Sequence, residues 1–168
     1  MRIAIVGSHK VGKTTLAEEL QDHLPGYTLE MEPYYQLEES GYEFSEMPTA
    51  EDFIKQFNYS AKLVSQSAGN VIFDRCIIDI LAYLHVIDPG RNIQLLFETA
   101  QTIIAGIDLL VFVPIEEQDL ISGAELPKLR NKVNDLLYDW IGDLSIKVVE
   151  VSGNTSNRKD QVLAKISR

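Results

Sequence analysis

Gly7-Ser8-His9-Lys10-Val11-Gly12-Lys13-Thr14, with Thr15 behind it, has the G-x-x-x-x-G-K-T spacing of a phosphate-binding loop. The residues before it, Arg2 to Val6, form a short apolar run suited to a buried parallel strand. Those after it open an amphipathic helix, with Leu16, Leu20 and Leu24 at steps of four. Strand, glycine loop, helix is the context in which the motif has a mechanism. Gly7 and Gly12 permit close backbone approaches that a side chain forbids. The loop N–H groups from Gly7 to Thr15 and the helix N-terminus then face an anion together. Lys13 is expected to reach the β- and γ-phosphates of ATP, and the Thr14 hydroxyl to bind Mg2+.

The whole chain sets limits on what surrounds this loop. Its 168 residues suit one domain with a substantial core, and 45 % apolar with 24 % charged residues is the balance of a globular protein. No apolar run is long enough to span a bilayer, and the N-terminus runs straight into the first strand without the pattern of a signal peptide. Cys76, the single cysteine, forms no intrachain disulfide, which agrees with a reducing, cytoplasmic setting. A formal charge of −10 argues against a nucleic-acid groove, which needs clustered Lys and Arg. A membrane partner is likewise not expected, and the oligomeric state is left open.

Working outward along the chain, Tyr27 to Met31 reads as a second strand, with Glu30, Glu32 and Pro33 at its C-terminal end. This strand is expected beside the first. Residues 34–48 are tyrosine-rich and acidic, an irregular excursion or short helices over the site. Thr49 and Asp52 have the spacing of a capping box and open a long helix with Phe53, Phe57, Ala61, Val64 and Ala68 on one face. Val71 to Phe73 makes a third strand ending at Asp74-Arg75, followed by helices over 76–86 and 93–105. Leu109 to Val113 is a fourth strand and Ile146 to Val151 a fifth, with a helix between them and another after Asn154. Strands alternating with helices imply a three-layer α/β/α domain over 1–168 around a five-stranded parallel sheet. The strand ends then bring Gly7, Glu32, Asp74, Pro114 and Ser152 to one edge.

Asp74-Arg75 is the second group with evident chemistry. At the end of an apolar strand beside a phosphate loop, the carboxylate suits magnesium or its water and the guanidinium suits phosphoryl oxygens. The same residues also suit structural work, Asp74 as a cap for the next helix and Arg75 as a partner of Asp79. Lys128, Arg130 and Lys132, spaced by two in an acidic chain, fit a lid over 116–132 that closes on a transferring phosphoryl group. They equally fit a solvated helix start. Tyr34, Tyr35, Tyr42, Phe44 and Phe57, with Gln56, suit a pocket that stacks on a planar base and hydrogen-bonds its edge. Aromatics at helical spacing equally suit the core, and Tyr34 and Tyr35 fit the pocket best. His9, His23 and His85 have no metal-ligand spacing.

Taken together, Gly7–Thr14, Glu32-Pro33, Asp74-Arg75 with Ala82-Tyr83, and the Lys/Arg lid resemble the P-loop nucleoside and nucleotide kinases. Glu32-Pro33 is similar to the Glu-Pro of deoxynucleoside kinases, which implies Glu32 as the base for a sugar hydroxyl. Asp74-Arg75 is similar to the Asp-Arg of thymidylate kinases or the Glu-Arg-Ser of deoxynucleoside kinases. The pattern also resembles the kinase domain that phosphorylates ribosylnicotinamide and small P-loop ATPases related to it. That resemblance implies ATP and Mg2+ as cofactors, Lys13, Glu32, Arg75 and Arg130 as catalytic residues, and Thr14 and Asp74 at the metal. It implies Arg158 stacked on the adenine, against the simpler reading of an exposed helix residue.

Two function classes follow. One is a kinase moving the γ-phosphoryl of ATP to a nucleoside, nucleotide or related hydroxyl acceptor; the other is a regulatory ATPase or switch without a small-molecule acceptor. A guanine-reading switch is disfavoured, because Asn131-Lys132 is followed by Asp135, one residue too far for Asn-Lys-x-Asp. The 30–48 segment separates the two classes, since a kinase needs an acceptor pocket there.

Overall fold

A computed structural model describes residues 1–116 and 127–167. Its strands are β1 (Arg2–Val6), β2 (Thr28–Glu30), β3 (Val71–Asp74), β4 (Leu109–Phe112) and β5 (Val148–Glu150). Its helices are α1 (Lys13–His23), α2 (Pro33–Glu39), α3 (Ala50–Gln66), α4 (Ile77–Ile87), α5 (Gln94–Ile104), α6 (Pro127–Gly142) and α7 (Thr155–Ile166). All strand pairs are parallel, in the order β2-β3-β1-β4-β5. The expected sheet is therefore present, with one correction. β3 lies between β2 and β1, so Glu32 reaches the site from one strand further out. Strand order is set by which helices pack on which face, a long-range property that local pattern does not encode.

Side-chain alternation divides the core in two. Ile3 and Ile5 of β1, with Ile72, Leu109 and Val111, pack against Leu16, Ala17 and Leu20 of α1 and Val162 of α7. Ala4 and Val6, with Phe73, Leu110 and Phe112, pack against α3, α4, α5 and α6 through Phe57, Ile77, Leu81, Ile104 and Leu137. β1, β3 and β4 are the inner strands, and the described faces of β3 and β4 are wholly buried. This explains their unbroken apolar runs.

Several boundaries shift for local reasons. β2 stops at Glu30, and Glu32 becomes the residue before α2, whose first position is Pro33. Proline suits that position because its fixed φ is helical and its missing N–H needs no partner there. α3 begins as expected. The Thr49 hydroxyl accepts from the Asp52 N–H at 3.3 Å, and the Asp52 carboxylate accepts from the Thr49 N–H at 3.1 Å. Cys76 is buried, and burial pushes its thiol up to about 12, so it packs as a small apolar group. Among the described residues no helix is long and apolar enough to cross a membrane.

The Thr49 cap gives a direct test of this framework. Thr49→Ala is expected to destabilise the protein by about 1 kcal/mol, the usual loss for a capping hydroxyl, measured by urea unfolding. Unchanged stability would mean that α3 does not depend on this cap.

Candidate functional site

The C-terminal ends of the parallel strands form one edge, and the phosphate loop crosses it between β1 and α1. Gly7 (φ 157°) sits so close to the chain that a Cβ there would collide with the Val113 carbonyl oxygen. Gly12 (φ 89°) is left-handed immediately before α1, and Lys10 (φ 58°) is left-handed without being glycine. The loop is thus held in a tight, partly strained turn. Lys13 is buried, and its Nζ donates to the Ser8 carbonyl at 2.7 Å. Burial, then the Arg75 charge, lowers its pKa to about 8.

Beside the loop, the Thr14 hydroxyl donates to Asp74 Oδ2 at 2.6 Å. Asp74 therefore does not cap α4; Cys76 stands at the cap, its N–H donating to Asp79 Oδ1 at 3.0 Å. Burial raises the Asp74 pKa, against the Thr14 hydrogen bond and the nearby cations. Asp74 Oδ1 is buried with no partner among the described residues. A hydroxyl beside a carboxylate with one free oxygen fits Mg2+, which keeps several waters and takes few protein ligands when phosphates supply the rest. No group of three or more His, Cys, Asp or Glu ligands is present among the described residues, so a stand-alone protein metal cage is not what these residues build.

Arg75 takes the first position after β3 with φ 92°, its N–H donating to the Ile5 carbonyl at 3.1 Å. Its partner is Glu32, at 2.7 Å from Nη2 to Oε1, rather than Asp79. Asp79 is fully buried and its carboxyl is pushed up to about 6 by burial, against the pull of Arg75 and Lys13.

A cavity of about 380 Å³ opens next to these groups. Glu32, Arg75, His9 and Arg130 line it with Tyr34, Tyr35, Phe44, Phe53, Gln56 and Tyr83. Tyr34 stacks on Phe44 with centroids 4.2 Å apart, so residues 34–48 do cover the site, as expected. Phe57 lies instead in the core, and Tyr42, whose hydroxyl donates to Asp52 on the cavity wall, itself lines a separate surface groove. Glu30 lines a separate surface groove with Met31 and Tyr35, so of the two acids it is Glu32 that reaches the cavity.

The basic triplet resolves by helix geometry. Of the expected lid, residues 117–126 lie outside the described residues. Lys128, Arg130 and Lys132 fall in the first turns of α6, where a spacing of two alternates faces. Lys128 and Lys132 are exposed, whereas Arg130 is buried and donates from Nε to the His9 carbonyl at 2.6 Å. Arg158 is not an exposed helix residue. It is buried, donating from Nη1 to the Val11 carbonyl at 2.6 Å and from Nη2 to Glu116 Oε1 at 2.8 Å. Sequence reasoning assigned no role to Glu116 or to Tyr83. Tyr83 was within reach, since Cys76, Asp79 and Tyr83 recur at i, i+3 and i+7 on one face of α4. Glu116 had no such signal.

Known proteins agree with this picture. A family model described as an AAA domain matches residues 2–158. Among solved structures, deoxyadenosine kinase from M. mycoides with dCMP and a flexible dCDP bound is similar at TM-score 0.64 and 16 % identity, covering 99 % of each chain. Thymidylate kinase from Ehrlichia chaffeensis is similar at TM-score 0.73 and 15 % identity, covering 99 % of this chain and 98 % of that one. NadR protein in complex with NR gives TM-score 0.72 and 17 % identity, covering 98 % of this chain and 50 % of that one. No curated protein matches the chain by sequence. At these identities the likeness shows the fold. With a match over residues 2–158, the chain belongs to the AAA domain family, on the three-layer P-loop fold that it shares with nucleoside and nucleotide kinases.

Proposed function

We propose that the protein is an ATP- and Mg2+-dependent small-molecule kinase that phosphorylates a hydroxyl of a nucleoside, nucleotide or related acceptor. The observation that carries this reading is the cavity: a 380 Å³ aromatic-walled space shares Glu32, Arg75 and Arg130 with the border of the phosphate loop. A switch without an acceptor has no use for such a space. The names of the structural neighbours, deoxyadenosine kinase and thymidylate kinase, support the same class.

Each residue then has a task. The loop amides between Gly7 and Thr15, apart from that of His9, which Tyr83 holds, bind the phosphates of ATP, and Lys13 neutralises charge on the transferring group. Thr14 and Asp74 would hold Mg2+ through its water or directly, and the ion would supply positive charge against the phosphates. Glu32 takes the proton of the acceptor hydroxyl. Its ion pair with Arg75 fixes the direction of the carboxylate before the acceptor arrives. Arg130 offers Nη2, buried and without a partner among the described residues, to the phosphoryl group. Arg158 serves from behind, buttressing the loop at Val11. Lys13, Arg75 and Arg130, matched by acids of the same site in an acidic chain, fit a small molecule and its phosphates, with no nucleic-acid or membrane partner implied.

Incubation with Mg-ATP and a nucleoside, nucleotide and vitamin panel tests the class directly. Release of ADP above the acceptor-free rate is expected for one acceptor group, and its absence across the panel argues for the switch. Glu32→Gln is expected to keep ATP affinity while lowering transfer by about two to four orders of magnitude, the range of a positioned base. Unchanged acceptor-dependent turnover would remove Glu32 from that role.

Lys13 gives a pH signature. With its pKa lowered to about 8 in the empty site, it is partly neutral above that pH, and bound phosphates favour the charged form. ATP binding at pH 8.5 is therefore expected to take up a proton, and affinity to fall as pH rises through about 8. Calorimetry in buffers of different ionisation enthalpy measures this. Lys13→Ala should bind ATP weakly and show no such uptake.

A further inference from the structure

One residue of the phosphate loop, His9, is held through both of its backbone polar groups by side chains that also line the cavity. The His9 N–H donates to the Tyr83 hydroxyl, and the His9 carbonyl accepts from Arg130 Nε at 2.6 Å. Tyr83 comes from α4 and Arg130 from α6, and both line the cavity with His9 itself. The Tyr83 ring is fixed in turn. It lies parallel to Phe53 at 5.5 Å between centroids, and the Arg75 guanidinium stands 5.7 Å from its centre. The residue after His9 is Lys10, in the left-handed region without being glycine, so the held residue adjoins the loop's non-glycine strained position. Burial pushes the Tyr83 hydroxyl up to about 12, so it stays protonated at any physiological pH, its oxygen accepting from the loop.

We propose that Tyr83 is a positioning residue for the phosphate loop, acting with Arg130 on the two peptide groups that flank the His9 Cα, so that the acceptor wall sets how tightly the loop holds phosphate. Loop amides bind an anion well when their directions are fixed before it arrives, because the ordering cost has then already been met on folding. The Tyr83 hydroxyl and the Arg130 guanidinium do this from outside the loop. No hydrogen bond from the phosphate ligand to Tyr83 is required. The proposal rests on the nucleotide reading of the loop, and its tests separate the two.

Tyr83→Phe removes one oxygen and keeps the ring that packs on Phe53, so the fold is retained. By calorimetry, the magnesium-ADP dissociation constant is expected to rise about three- to tenfold, the range for one lost hydrogen bond. Arg130→Met should act in the same direction. Because both side chains hold the backbone of the same residue, the double variant should fall short of the product of the single effects by about threefold or more. Amide exchange of the ligand-free protein gives a second readout: the His9 N–H should be protected in the wild type and exchange at least about tenfold faster in Tyr83→Phe, with α4 amides unchanged. Single effects that multiply, or a His9 amide equally fast in both proteins, would overturn the clamp while leaving normal ADP binding to support the nucleotide site. A wild-type chain that binds no magnesium-ADP, with His9 protected, would sink the nucleotide reading and this proposal with it.

Discussion

The backbone of Gly7 lies against the carbonyl of Val113, with no room for a side chain between them. That approach is made possible by the parallel pairing of β1 with β4 and decides where the chain leaves β1. Once it does, the loop has to turn sharply over the end of the sheet, through Lys10 and Gly12 in left-handed conformations, before α1 can start. The loop amides, the buried Lys13 and the Thr14–Asp74 contact all inherit their positions from this crossing. The core on the α1 side supports it, since Val11 packs with Ile3, Ile5 and Leu16.

Around the crossing the protein buries an unusual density of charge. Lys13, Asp74, Arg75 and Asp79 are each no more than 6 % exposed, and Glu32 is close by. Burying ions separately costs several kcal/mol each, so the cluster exists only because opposite charges share it. Its tensions remain visible in the pKa directions. Asp74 and Asp79 are pushed up and Lys13 down, all by burial first. A site strained towards losing its charges is one that gains when an anion and a cation enter it together. The same reasoning gives Asp79 a place, a counter-charge under Lys13 and Arg75 that also closes the N-terminus of α4.

What could be read from sequence alone divides by range. The phosphate loop, the capping box at Thr49 and the apolar runs of β1, β3 and β4 are local patterns, and each stands where its residues put it. Asp74, Arg75 and Glu32 were legible as members of one edge because strand ends converge in any parallel sheet. Their partners were not. Arg75 pairing with Glu32 instead of Asp79, and the insertion of β3 between β2 and β1, depend on how distant segments dock. The basic triplet was legible as charge but not as direction, since only a helix beginning at Pro127 sends Arg130 inward and its neighbours out. Glu116, just beyond β4, meets Arg158 of α7, a contact 42 residues apart for which no spacing rule exists.

Arg75 holds a backbone conformation that L-residues with side chains seldom adopt, at φ 92°. Such strain costs on the order of 1–3 kcal/mol. Glycine would relieve it, yet glycine would also leave Glu32 without its cation. Relieving the strain would therefore strand the partly buried carboxylate of Glu32 and the buried one of Asp79, a loss of about 3–5 kcal/mol that outweighs the gain. The twist at Arg75 is held in place by the ions around it, so backbone shape and side-chain charge at this position stand or fall together.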